Sequence, residues 1–297
     1  MTNRKNDTKF HEVLKQASIC VYHGKNAKMP TNYRVIDKAE NKDNGFYAEA
    51  YSNGKDIIIA YRGTDTDIIG LFYDIQNNHS MVRSELPSQC TDAIRFYDKV
   101  VRENPNCDIT VTGHSLGGSN AEIVSAIRGV LAVTFNAYGV RDMFTSYTIL
   151  NEDNVVNYVN EMDGATMVNG HNHIGEIYSV PNVAENSVLY KINCHIAEGM
   201  GNLSQRTQKT PVEIKEKAER IHPNAIKAKD GYNKGCDTGK KYVDRVNTGI
   251  DKVIDTTYKV KNKVSECVGS YYVNGYRRND GTTVEGYVRT CGAKHNN

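Results

Sequence analysis

The chain has 297 residues, 39% of them apolar and 24% charged, with a formal net charge of +2; these are values of a globular protein with an ordinary core and exclude a disordered or collagen-like chain. The small net charge hides an asymmetry, because residues 205–297 carry 19 Lys and Arg against 11 Asp and Glu, which leaves −6 on the first 204. No apolar run reaches membrane-spanning length and no apolar core follows the polar start Met1–Thr8, so the expectation is a protein that is cytoplasmic as synthesised, with non-classical export as the alternative.

Apolar spacing predicts an opening helix over Phe10 to Tyr22. Phe46–Tyr51 and Asp56–Arg62 read as strands joined by the turn Ser52-Asn53-Gly54-Lys55, and the second is nearly all apolar, as a strand buried on both faces should be. Cys90 to Glu103 has helical spacing and is stopped by Asn104-Pro105-Asn106. A strand over Asp108–Thr112, a helix over Ser119–Arg128 and strands at Val130–Phe135 and Val155–Val159 follow. A last strand is expected at Ser187–Ile192. Strands alternating with helices argue for a mostly parallel sheet covered on both sides.

The pattern changes near residue 204. Val243, Val246, Ile250, Val253, Thr257, Val260, Val264 and Cys267 form a heptad seam inside a helix over 240–268. Residues 270–291 read as a small β-hairpin around the turn Asn279-Asp280-Gly281. The expected division is a body over 1–204 and a basic extension over 205–297. The extension is suited to transient contact with an anionic membrane surface and, through 243–267, to self-association. Tyr271, Tyr272, Tyr276, Arg277 and Arg278 mix aromatic and basic character, but a small surface module is the default reading and nucleic acid is not an expected partner. Seven cysteines at irregular spacing, with no Cys-x-x-Cys, read as reduced thiols rather than a disulfide framework or zinc site.

Between strand and helix stands Gly113-His114-Ser115-Leu116-Gly117-Gly118. Strand, Gly-x-Ser-x-Gly, helix is the nucleophile elbow, which exposes a serine hydroxyl at the C-terminal end of a strand. Gly113 and Gly117 are required where the helix turns back against its own strand. A serine needs a base to take its proton and a carboxylate to orient that base. Asp163 ends a strand after the serine and is the first candidate acid. Asp153 precedes its strand and Asp142 follows one too early, so both are weaker. Downstream histidines are His171, His173, His195, His222 and His295, while His114 points away from the hydroxyl of its neighbour. The backbone N–H of Leu116 is one oxyanion donor. His171-Asn172-His173 with Glu176 could bind a metal, but the ligand set is not firmly placed and a surface loop is the default reading, so no metal and no cofactor is expected.

Three blocks together resemble the class 3 lipases of the α/β-hydrolase superfamily. They are Ile57–Asp65 with its Arg62-Gly63-Thr64, the Gly-His-Ser-Leu-Gly-Gly elbow, and Tyr158–Asp163. The resemblance covers about residues 10–200, and the end of the chain is similar to a short C-terminal motif of bacterial and phage proteins. It implies an α/β-hydrolase fold, a mostly parallel central sheet flanked by helices, with a helical and β-hairpin extension. It implies a Ser115–Asp163–His195 triad, with His173 as the rival base, and an oxyanion site of Leu116 and Thr64. It also implies a lid or acyl wall over Ile68, Ile69, Leu71 and Phe72. The expected activity is hydrolysis of carboxylic esters of lipids through an acyl-enzyme. The alternatives are a soluble short-chain esterase or thioesterase, and a non-catalytic binding protein that keeps the fold.

Overall fold

A computed structural model of the chain describes residues 4–23, 29, 32–63, 79–141, 151–160, 163, 172–183 and 197–221, and the backbone of four short strands between 271 and 289. Eight strands form one sheet whose spatial order follows chain order. They are β1 (Arg34–Asn41), β2 (Phe46–Ser52), β3 (Asp56–Tyr61), β4 (Asp108–His114), β5 (Leu131–Phe135), β6 (Val155–Val159), β7 (Glu176–Ser179) and β8 (Thr207–Lys209). Strands β3 to β7 are parallel, and the two antiparallel strands β1 and β2 flank one side and β8 the other.

The two-residue period of a strand divides the core into two layers. Ile57, Ile59 and Tyr61 of β3, with Ala132 of β5 and Val155 of β6, join the cluster that holds α2 (His79–Glu103) and α3 (Leu116–Arg128). Ile58 and Ala60, with Val133, Phe135, Val156 and Tyr158, join the opposite cluster. There α1 (Thr8–His23) supplies Leu14, Ala17, Cys20 and Val21, and the segment after residue 196 supplies Ala197, Met200 and Leu203. That segment is pinned to α1 by polar contacts as well. Leu203 N–H donates to Glu12 Oε1 at 2.9 Å, and Lys15 Nζ donates to the carbonyls of Met200 and Gly201 at 3.4 and 3.3 Å.

A buried polar knot ties α1 to β6. His11 Nε2 lies 2.9 Å from Arg4 O and His11 Nδ1 lies 2.8 Å from Tyr158 Oη, which also accepts from Arg206 Nη1 at 2.7 Å. Burial lowers the His11 pKa to about 4, opposed by its bond to the Arg4 carbonyl. The neutral ring therefore donates from Nε2 and accepts the Tyr158 proton at Nδ1.

The elements expected from periodicity are present over Phe10–Tyr22 and for the strands and helices between 46 and 159, while β1, β7 and β8 were not anticipated. β1 is an edge strand with no fully buried residue, broken by a register shift between Val35 and Asp37, and its polar sequence carries no apolar alternation. β7 and β8 are four and three residues long, too short for a period.

The sheet also runs past the expected boundary at 204. β8 is its last strand, and α4 (Pro211–Ile221) buries Ile214 against Val159 and Ile177 and buries Ala218 completely. The β-hairpin is present in the extension: β9 (Tyr271–Val273) pairs with β12 (Tyr287–Arg289), and β10 (Tyr276–Arg277) with β11 (Thr283–Val284). Its two arms repeat Val-x-Gly-Tyr-x-Arg, from Val273 and from Val284, and the register sets the Val of each repeat opposite the Tyr of the other. The heptad seam 243–267 and the strand expected at 187–192 lie outside the described residues.

Candidate active site

At the carboxyl end of β4 the chain reverses within one residue. Ser115 has φ 54° and ψ −128°, an outlier for a residue with a Cβ. Its N–H still donates to Phe135 O at 3.1 Å, continuing the ladder to β5. Its carbonyl already accepts the N–H groups of Gly118 and Ser119, at 3.0 and 3.2 Å, which starts α3. Such a turn brings helix against strand without room for side chains. A Cβ on Gly113 would stand 2.3 Å from Gly117 O, and one on Gly117 would stand 2.0 Å from Tyr61 O. From Val111 to Ala126 every residue is buried except Ser115, which is half-buried. The strained backbone and the one break in this buried stretch coincide on the same residue.

The neighbouring strand ends are tied to this edge. Asn136, also at positive φ (46°), follows β5; its N–H donates to Tyr158 O at 2.9 Å and its Oδ1 accepts the N–H of Asn160 at 2.8 Å. Asp163 N–H in turn donates to Asn160 O at 2.9 Å, closing a turn that places Asp163 at the same sheet edge as Ser115. Asp163 is fully buried, the environment a triad carboxylate needs to hold an imidazolium away from water. Asp153 is exposed, in a 3-10 turn at the start of β6, and so lies at the opposite edge. Asp142 lies outside the described residues.

Leu116 opens α3, and the first N–H groups of a helix have no intrahelical acceptor. Gly63 passes beside it: a Cβ there would lie 3.4 Å from Leu116 N. Thr64 itself, His195, and the lid candidates Ile68, Ile69, Leu71 and Phe72 lie outside the described residues.

The rival histidine is held by a carboxylate. His173 precedes β7 and so lies toward the amino end of that strand, whereas the elbow lies at the carboxyl ends. Its Nδ1 is 2.7 Å from Glu122 Oε1, the other Glu122 oxygen accepts Ile174 N–H at 3.1 Å, and neither side chain is exposed. Glu176 faces Lys5 at 2.6 Å and accepts from Tyr178 Oη at 2.7 Å, so His173 and Glu176 do not converge on a common point. His171 lies outside the described residues. His114 is buried against Tyr22, on the α1 side and away from its neighbour's hydroxyl. Asn136, Asn160 and Tyr22 carry the elbow edge, and Glu122 holds His173 before β7, without having been singled out. Glu122 alone left a trace, as a charged residue within an otherwise small and apolar stretch of helix.

The parallel strand order, the covering helices and the elbow make this an α/β-hydrolase fold. A family model described as a Tle-like phospholipase domain matches residues 16–230. An extracellular phospholipase A1 of Serratia liquefaciens is 32% identical over 117 residues, which are 36% of this chain and 32% of that protein, so the match spans about a third of the relative's length. Among solved structures, Lip2 lipase of Yarrowia lipolytica shares 15% identity at a TM-score of 0.45, over 67% of this chain and 86% of the other. The triacylglyceride lipase of Rhizomucor miehei shares 15% at 0.45, over 61% and 81%.

Proposed function

Because the chain belongs to the Tle-like phospholipase domain family, we propose that it is a serine hydrolase that cleaves carboxylic esters of lipids, phospholipids foremost. The observation that carries this reading is Ser115: strained, half-buried among buried neighbours, and set between a strand end and a helix start.

In this reading Ser115 Oγ attacks the ester carbonyl while His195 takes its proton. His195 then returns that proton to the leaving alcohol, and water resolves the acyl-enzyme by the same path. Asp163 holds the imidazole in its working tautomer and stabilises its charged form. The N–H groups of Leu116 and Thr64 receive the oxyanion, each donor of this kind contributing about 2.7–4 kcal/mol. Ile68, Ile69, Leu71 and Phe72 form the acyl wall or lid in front of them. The basic extension is assigned to contact with an anionic lipid surface, and its heptad seam to self-association.

The test is a fluorophosphonate probe together with phosphatidylcholine vesicles. Wild type should be labelled and should release fatty acid, while Ser115→Ala should do neither and keep its fold. Labelling of Ser115→Ala, or release within tenfold of wild type, removes the nucleophile from this reading. A chain-length series of nitrophenyl esters separates a lipid enzyme from a short-chain esterase.

A further inference from the structure

Two successive N–H groups beyond β3 are captured before the chain reaches Thr64. Arg62 N–H donates to Tyr47 O at 2.9 Å, and Gly63 N–H donates to the phenol oxygen of Tyr22 at 2.9 Å. Tyr22 stands in the last turn of α1, on a different element from the strand, the elbow and the acid. Its oxygen is also 3.2 Å from His114 Nδ1 and 3.4 Å from His114 O, with the two rings edge-on at 5.8 Å. A phenol offers one proton and two lone pairs, so the group can accept from Gly63 and address its proton to His114, the residue before the nucleophile.

Glycine at 63 is what permits this. A Cβ there would stand 2.3 Å from the phenol oxygen, 2.9 Å from His114 O and 3.4 Å from Leu116 N. The phenol thus occupies the corner where the loop after β3 meets the first turn of α3.

We propose that Tyr22 is a positioning residue of the oxyanion site, holding the Gly63 backbone against the elbow beside the Leu116 donor. This rests on the serine-hydrolase reading above. In this role the phenol acts through Gly63 and His114. Preorganised donors work because they need no rearrangement as charge develops, so a loop released from its anchor loses transition-state stabilisation without losing substrate affinity.

The experiment compares wild type, Tyr22→Phe, Gly63→Ala and Ser115→Ala on a soluble ester, with thermal unfolding of each. Tyr22→Phe keeps the ring and removes only the oxygen. Its kcat should fall by about tenfold or more with KM within about twofold, and its fluorophosphonate labelling should slow in parallel. Its unfolding midpoint should move by no more than a few degrees. Gly63→Ala displaces the same contact from the other side, so adding Tyr22→Phe to it should cost little further rate. A Tyr22→Phe enzyme with wild-type kcat, or one whose loss lies in KM or follows its unfolding, overturns the proposal. Ser115→Ala separates the two claims: if it is inactive while Tyr22→Phe is fully active, only the role of Tyr22 fails. If Ser115→Ala is active, the serine-hydrolase reading fails and takes this role with it.

Discussion

His173 and Glu122 show how little a residue's type says about its task. Both have triad-like chemistry, and they form a fully buried acid–imidazole pair at 2.7 Å that joins α3 to the chain before β7. Removing one member leaves a buried polar partner unsatisfied, which costs on the order of 3 kcal/mol. His173→Ala should therefore lower the denaturation midpoint and leave kcat per folded molecule near wild type. His195→Ala should do the reverse, abolishing turnover as thoroughly as Ser115→Ala, because triad members act as a unit. Denaturant titration beside kcat measures both outcomes, and a dead, stable His173→Ala would return the base to that position. His11 adds a pH term. Its folded pKa, near 4, lies below the unfolded value of about 6.5, so the unfolded chain binds the proton first. The stabilisation from neutral His11 is complete above pH of about 6.5 and is lost as pH falls toward 4, amounting to on the order of 3 kcal/mol. His11→Gln should flatten the unfolding free energy across that window; an unchanged slope would contradict the knot at Tyr158.

At the scale of elements, the site depends on how closely α3 approaches the ends of β3 and β4. The contact is backbone on backbone, since a Cβ on Gly117 would sit 2.0 Å from the carbonyl oxygen of Tyr61, and neither side can yield by a rotamer change. Gly117→Ala should therefore cost stability at the upper end of about 1–3 kcal/mol and carry Ser115 off its position, so activity falls along with stability. Crystallography or amide exchange across 113–120 would show whether the helix has moved; a fully active Gly117→Ala protein would mean that the elbow tolerates a wider approach. The opposite face has its own dependence. α1 carries Tyr22 beside the elbow, and Glu12 and Lys15 hold the segment that follows the expected base.

For the whole molecule, the question is where the hydrolase unit stops. Charge and periodicity change near 204, yet β8 and α4 belong to the sheet and its covering layer, and the family match runs to 230. We propose that the unit ends between 221 and 230 and that the basic, heptad-bearing stretch begins after it. A chain of residues 1–230 should fold and turn over soluble esters like the full protein. A chain of residues 1–204 exposes the free edge of β7 and the apolar surface under Ile214, and should be aggregation-prone. Expression and soluble-ester turnover of the two truncations decide the boundary; an active, monomeric 1–204 would restore it to 204.

What the amino-acid sequence determined by itself were the features written in local chemistry. The apolar run of β3, the helical spacing of α1 and α2, and the glycines around Ser115 each follow from short-range sterics and period, so these elements and the candidate nucleophile were legible. Tertiary structure alone decided the rest. β1, β7 and β8 are strands only because a sheet is there to receive them, their residues having too little length or alternation to announce themselves. Strand position ranked Asp163 above Asp153, but the burial of one at the elbow edge and the exposure of the other at the opposite edge are tertiary facts. Tyr22 and Gly63, far apart along the chain, meet at a 2.9 Å hydrogen bond because α1 crosses the sheet beside the elbow, and no local pattern encodes such a crossing.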